Sequence, residues 1–242
     1  MTEISAQGLP ETEKRSAAGL HSALADAFAA RGRWNQALPE AFKAVEYDPT
    51  DHMHCVSLLV LLAATGQFEE YRLYRSQFLD RFEKSQIPVG TGERIAKASL
   101  LLPGSEAELL AAERFANAAL MTTEDNPFHC YKEFAEGLAQ YRLGHFADAI
   151  GWMRKSIDDP FYGAGQMRYV QSYMVLAMAQ HRLDQREEAR SALAEGLAIK
   201  EARLPKLESG YLGPDWYWRD WIIAEILARE ARAVIEGQAK AP

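Results

Sequence analysis

Apolar residues recur along this chain at helical spacing, three and four apart, and strand-like alternation is hard to find. The pattern breaks at short polar turns. Taking the turn residue as anchor, Gly32, Gly66, Gly104, Gly144 and Asp184 divide the chain at spacings of 34, 38, 40 and 40 residues. An apolar helical pattern precedes each anchor and another follows it. Residues 139–149 read AQYRLGHFADA and residues 179–189 read AQHRLDQREEA, identical at five positions. A fixed period of this size marks stacked helix pairs, each unable to bury its apolar face alone. The pattern predicts an all-α chain, an α-α superhelix or solenoid of about five helix pairs.

The first unit, ALADAFAARGRWNQALPEAFKAVEYDPTD, shows the pattern most fully. Leu24, Ala25 and Phe28 share a face of its first helix. Gly32 makes the turn, and Trp34, Ala37, Ala41 and Ala44 follow. Small residues let paired helices approach, and Leu24, Phe28 and Trp34 are expected to fill the space between pairs. Asp48-Pro49 closes the unit, since a residue before proline avoids the helical region. Pro39, just beyond the first turn of the second helix, predicts a mild kink. This unit resembles the tetratricopeptide repeat, a 34-residue helix–turn–helix. In the second unit Tyr71 stands where the first has Ala37, so wider packing is expected. The third is the least regular, with Pro103-Gly104 as its turn and Ser105 as N-cap, a carboxylate three residues on. Asp184 replaces the last turn glycine, at a cost of about 1 kcal/mol.

Residues 1–16 read as a polar, flexible leader, 17–204 as repeats, 205–214 as a loop, 215–237 as a C-terminal capping helix and 238–242 as a disordered tail. GTGE at 90–93 and DDPFYGAGQ at 158–166 read as loops. In the last helix Asp215 is the expected N-cap and Gly237 the stop. Trp218, Trp221, Ile222, Ile226 (with Leu227) and Val234 form its expected buried stripe. Glu225 with Arg229, and Arg232 with Glu236, are spaced to pair on its exposed face. Such a helix would close the last unit, and its tryptophans would lock it there.

The tail PKLESGYLGPDWYWRDWIIAEILAREARAVIE adds a second likeness. It is similar to the end of tetratricopeptide regions that follow a serine/threonine kinase or propeller domain in planctomycete-like bacteria. The matching residues are Asp220, Trp221, Ala224, Leu227, Arg229, Glu230 and Ala231. That resemblance covers roughly residues 17–236 and carries no catalytic residues. The chain has no glycine-rich loop with a lysine strand, no HRD and no DFG. It reads as a freestanding relative or an excised module, and Met1 with its polar leader favours the former.

Composition narrows the function. With 242 residues, a net charge of −7 and pI near 5.5, the chain lacks the basic stripe of a nucleic-acid binder. The N-terminus has neither the basic start nor the apolar core of a signal peptide, and the longest apolar run, Cys55–Ala64, is half a membrane span. Two cysteines make no disulfide framework, so a cytoplasmic setting is expected.

The best chemical constellation is DHMHC at 51–55 with His129-Cys130. His, Cys and Asp are zinc ligands, but HExxH, CxxC and HxxxH are absent. Sequence neighbours on a helix do not face one another, which also weakens a Cys–His nucleophile. Thirty-four acidic residues give no motif for a glycosidase pair. The sequence therefore predicts no enzyme, no cofactor and no metal. The preferred reading is an interaction scaffold that takes a peptide or protein segment in the concave groove of its first helices. Candidate groove residues are Asp26, Tyr131, Tyr141, Arg142, Tyr173, Gln180, His181 and Arg182, with Glu133 beside them. Arg142 and Arg182, equivalent in successive repeats, form a cationic row or else pack locally. The paired Lys and Asn that clamp a chaperone's C-terminal carboxylate are missing. Two alternatives stand behind the scaffold. One is a docking or regulatory module of a bacterial kinase system, as the tail resemblance implies. The other is a cryptic metal-dependent enzyme.

Overall fold

The computed structural model describes residues 8–85, 91–121, 128–159, 166–214 and 217–237. The expected N-cap Asp215, residues 1–7 of the leader, Gly90, most of the second loop (160–165) and the tail lie outside them, while Gly92 and Glu93, read from the sequence as loop, are helical. The described residues form α-helices throughout, without a strand: α1 (Glu11–Ala29), α2 (Trp34–Tyr47), α3 (His52–Ala64), α4 (Phe68–Glu83), α5 (Gly92–Ser99), α6 (Glu106–Leu120), α7 (His129–Leu143), α8 (Phe146–Asp158), α9 (Gln166–Arg182), α10 (Arg186–Arg203) and α11 (Tyr217–Glu236). α1 begins at Glu11, within the stretch the sequence assigns to a leader. These elements make two compact units. The first holds α1 to α3, the start of α4 through Tyr71, and residues 205–219; the second holds the rest.

Four turns share one construction. The N–H of Arg33 reaches the carbonyl of Phe28, Gln67 that of Leu62, His145 that of Gln140, and Gln185 that of Gln180. Each reaches five residues back to close a helix, with the residue before it left-handed, the glycine-stopped helix end. Those residues are Gly32, Gly66, Gly144 and Asp184, at φ 70°, 74°, 85° and 60°. Asp184 is the one non-glycine at positive φ among the described residues. Asp184→Gly relieves that strain, and we expect it to raise unfolding stability by up to about 1 kcal/mol. Its ion pair with Arg186 is exposed on both sides and adds little against this. Urea melts of the two chains check it.

Gly104 differs from the other anchors. It lies outside the left-handed set, and a Cβ there would come within 2.9–3.0 Å of the Arg75 guanidinium. Its missing side chain makes room for that buried arginine. Ser105 caps α6 as expected, its hydroxyl taking the Glu108 N–H while Glu108 reaches back to the Ser105 N–H.

Within the first unit α1 packs on α2, and α2 on α3. The seam of the first pair is alanine: Ala25, Ala29, Ala37, Ala41 and Ala44 are all at most 1% exposed. Leu24, expected between pairs, is 48% exposed instead, and Phe28 and Trp34 are half-buried. The close alanine seam turns Leu24 outward. Tyr71 is fully buried, so the larger residue does occupy the interior. Pro39 sits inside α2 and the helix continues through it to Tyr47.

In the second unit the pairs are α5–α6, α7–α8 and α9–α10. α6 packs on α7 and α8 on α9, and the first helices also touch each other, α5 on α7 and α7 on α9. Gly137 and Gly196 are the close approaches inside two pairs. A Cβ at Gly137 would overlap Met153 and Trp152, and one at Gly196 would overlap Met174 and Tyr173. The chain is thus an all-α helical-repeat protein built of tetratricopeptide-like pairs.

Candidate functional site

The first helices carry an unusual burden of buried polar groups. His54 and Ser57 on α3, Glu93 and Lys97 on α5, Lys132, Glu133 and Glu136 on α7, and Arg168, Gln171 and Gln180 on α9 are all under 9% exposed. Buried charge is tolerated when it is paired, so the partners define the site.

Many of those partners lie on the C-terminal segment. In the first unit, Trp218 Nε1 donates to Asp26 at 3.0 Å and Arg219 pairs with the same carboxylate at 2.6 Å, while Arg219 Nε donates to Ser57 at 2.8 Å. Leu212 N–H bonds the Ala30 carbonyl, and Leu207 lies over Gly32. In the second unit, Asp220 lies 3.2 Å from Lys97 Nζ, and Gln171 Nε2 donates to the Asp220 carbonyl at 2.8 Å. Glu93 is also 3.2 Å from Lys97, and the ammonium sits 4.8 Å from the centre of the Tyr131 ring. Ten residues beyond Asp220, Glu230 accepts both Arg142 amino groups. Between these acids Trp221, Ile222, Ile223, Ala224, Leu227 and Ala228 are buried, as is Ala231 just beyond them. In the first unit α1 and α3 thus contribute polar contacts to Trp218 and Arg219, and in the second α5, α7 and α9 contribute them to Asp220 and Glu230. The sequence predicts a cap on the final pair; in the second unit the acids of this helix also reach α5 and α7. Glu225 also departs from its expected Arg229: it pairs at 2.7 Å with Lys200 of α10, leaving Arg229 exposed.

A second arrangement closes the irregular α5–α6 link. Four successive carbonyls there are each taken by an arginine. Arg142 Nε and Nη2 donate to Leu100 and Leu101 at 2.8 and 2.9 Å, and Arg75 Nη1 donates to Leu102 and Pro103 at 3.1 Å each. Glu108 neutralises Arg75 through both carboxylate oxygens, which accept from Nε and Nη2 at 3.1 and 2.9 Å. Burial raises the Glu108 pKa, but hydrogen bonds from Ser105 and Arg75 outweigh it and hold the carboxyl below its usual range.

The eight candidate groove residues are thus dispersed. Asp26 is held by Trp218 and Arg219. Tyr131 faces Lys97. Arg142 turns inward to Glu230 and two carbonyls, so it forms no open cationic row with Arg182. Tyr141 is buried, packs on Phe146 and bonds to Arg182, whose guanidinium lies 5.9 Å from the Phe146 ring centre. Tyr173 is half-buried beside α10 at Gly196. Gln180 is buried with its Oε1 unbonded, His181 is half-buried and Arg182 exposed. Sequence reasoning passed over Lys97, Gln171 and Arg75, since no local spacing distinguishes a lysine paired 123 residues away from a solvated one.

The histidine–cysteine clusters start helices. Asp51 caps α3 by accepting the Met53 N–H at 2.7 Å, His54 Nδ1 lies 3.2 Å from the Asp48 carbonyl, and the buried Cys55 thiol points to the Pro49 carbonyl. Cys130 is buried, and burial pushes its thiol up to about 11, far from a nucleophile's range. Among the described residues no three His, Cys, Asp or Glu converge as metal ligands. Nor is any described helix long and apolar enough to cross a membrane.

Glu133, beside His129 on α7, gives a pH test. Burial, then the nearby Asp159, pushes its carboxyl from 4.5 to about 7. Between those values the folded chain keeps a proton that the unfolded chain has released. Stability therefore falls as pH rises through that window and stays lower above it. Glu133→Gln should flatten this slope and raise the melting temperature more at pH 8 than at pH 5, as thermal melts at both pH values would show.

No protein-family model matches the chain, and no curated protein matches it. Solved structures do. A double mutant described as MamA RS-1 ArsTM has 16% identity and a TM-score of 0.44, covering 77% of this chain and 96% of its own. Another MamA structure has 15% identity and a TM-score of 0.44, covering 78% and 97%. MamA from residue 41 onward, from Desulfovibrio magneticus RS-1, has 16% identity and a TM-score of 0.45, covering 77% and 97%. The fold assignment here stands on the chain's own helix pairs and turns.

Proposed function

We propose that this chain is a non-catalytic protein-interaction scaffold that takes a peptide or protein segment on the face of its first helices. The observation that carries this reading is the seating of α11. In the second unit this face already holds an amphipathic helix, anchored by buried apolar residues between two acids matched to Lys97 and Arg142. Helix-in-groove recognition uses the same elements. Of the remaining first-helix candidates, half-buried His181 and exposed Arg182, at the end of α9, offer accessible polar contacts. The buried cysteines and dispersed histidines favour binding over chemistry.

A photoreactive side chain at His181, in chain expressed in its own host, tests the proposal. The expected result is a discrete cross-linked polypeptide that is lost when the photoreactive group is moved to exposed Glu187 on α10. Equal products from both positions, or none from His181, would count against it. A docking role beside a serine/threonine kinase is the second reading, favoured by the tail residues Asp220, Trp221, Ala224, Leu227, Arg229, Glu230 and Ala231. A kinase as the cross-linked polypeptide would select it.

A further inference from the structure

We infer that α11 is a resident competitor for this binding face, and that the partner segment the second unit takes is an acidic amphipathic helix of the same pattern. The inference rests on the scaffold reading. The chain carries a net charge of −7, yet the buried charges at this face include the cations Lys97 and Arg142. α11 answers both with carboxylates, Asp220 and Glu230, ten residues and nearly three helical turns apart. Between them Trp221, Ala224, Leu227 and Ala228, with Ala231 just beyond, follow the three-and-four spacing of a helix lying in a groove. Lys97 keeps Glu93 of its own helix whatever binds, but a basic partner helix would strip Arg142 of its carboxylate and set like charge against both cations, so the face discriminates by sign as well as shape.

The tether decides how strongly the face is closed. The connection from Arg203 to Tyr217 includes one short 3-10 turn at Leu207–Ser209 and two positive-φ glycines, Gly210 and Gly213. A short tether gives an effective concentration on the order of 1 mM. If the face binds its helix with an intrinsic Kd of about 1 μM, the tethered copy weakens an outside helix roughly a thousandfold. Weakening α11 without touching the face should therefore open it.

Glu230→Lys does this. It removes one acidic anchor from α11, and Arg142 keeps its bonds to the Leu100 and Leu101 carbonyls. The probe is a fluorescent peptide of this chain's residues 217–236, titrated into the intact protein and the Glu230→Lys protein, both checked for helical content. The expected result is at least tenfold tighter binding to the variant, and no uptake of a peptide that itself carries Glu230→Lys. Equal binding to both proteins would overturn the inference, as would no binding to either at 100 μM (roughly a hundred times the assumed intrinsic Kd). A concentration-dependent dimer of the variant without peptide would make a second copy the occupant and overturn it too. If the variant does not fold, a protease site between Ser209 and Gly210 of the intact chain replaces it. Nicking should then let excess labelled peptide exchange for the released segment, and failure to exchange would sink the inference. The His181 cross-link tests the scaffold reading separately: a cross-linked partner with no peptide exchange leaves the scaffold standing and removes the competitor.

Discussion

Lys97→Met is expected to cost about 3–5 kcal/mol of folding stability, the usual penalty for removing one partner from a buried ion pair. The lysine side chain is 7% exposed and lies 3.2 Å from both Glu93 and Asp220. Methionine fills similar volume, so the loss is electrostatic. Two carboxylates would face each other without their cation, Glu93 itself being buried. Gln171 continues to bond the Asp220 carbonyl but supplies no charge. A double variant, Lys97→Met with Asp220→Asn, should recover part of the loss, because it removes one stranded charge. Urea unfolding of the native chain, both single variants (Lys97→Met and Asp220→Asn) and the double variant measures both effects.

Arg75→Met should cost a similar amount, about 3–5 kcal/mol, through a different route. Arg75 is 2% exposed. Its loss leaves the Leu102 and Pro103 carbonyls and the Glu108 carboxylate without their shared donor. The Ser105 cap still holds Glu108, so α6 should keep its start while the α5–α6 link loosens. Hydrogen exchange should show faster amide exchange over residues 100–104, with the first turn of α6 retained. Uniform acceleration across the second unit would argue against this local account. Gly104→Ala offers a milder version, since its Cβ presses on the same guanidinium.

Turns were legible in the sequence because their chemistry is local. A left-handed residue after an apolar helix calls for glycine, and Gly32, Gly66 and Gly144 supply it, with Asp184 as the strained substitute. Gly104 looked the same in sequence and serves another end, because the arginine it accommodates lies 29 residues earlier. Leu24 failed for a related reason. Periodicity marks a residue's helix face, but the closeness of the alanine seam decides how much of that face is covered. The C-terminal stripe was readable as buried. Its covering surface was not, since Asp220 and Glu230 find partners 123 and 88 residues away. Arg142 shows the limit for the candidate site: repeat equivalence with Arg182 suggested a row, whereas long-range pairing turned one inward and left the other exposed.

The seating of α11 on the first helices is the central claim, and a double-mutant cycle on Arg142 and Glu230 tests it most directly. The four chains are the native protein, Arg142→Met, Glu230→Gln and the double variant, each unfolded in urea at neutral pH. Arg142→Met alone should be the more damaging single change, because it also abandons two backbone carbonyls. The account predicts a coupling energy of about 1 kcal/mol or more between the two sites. Additive effects, within about 0.3 kcal/mol of zero coupling, would mean that the two side chains do not meet and that α11 is not seated there.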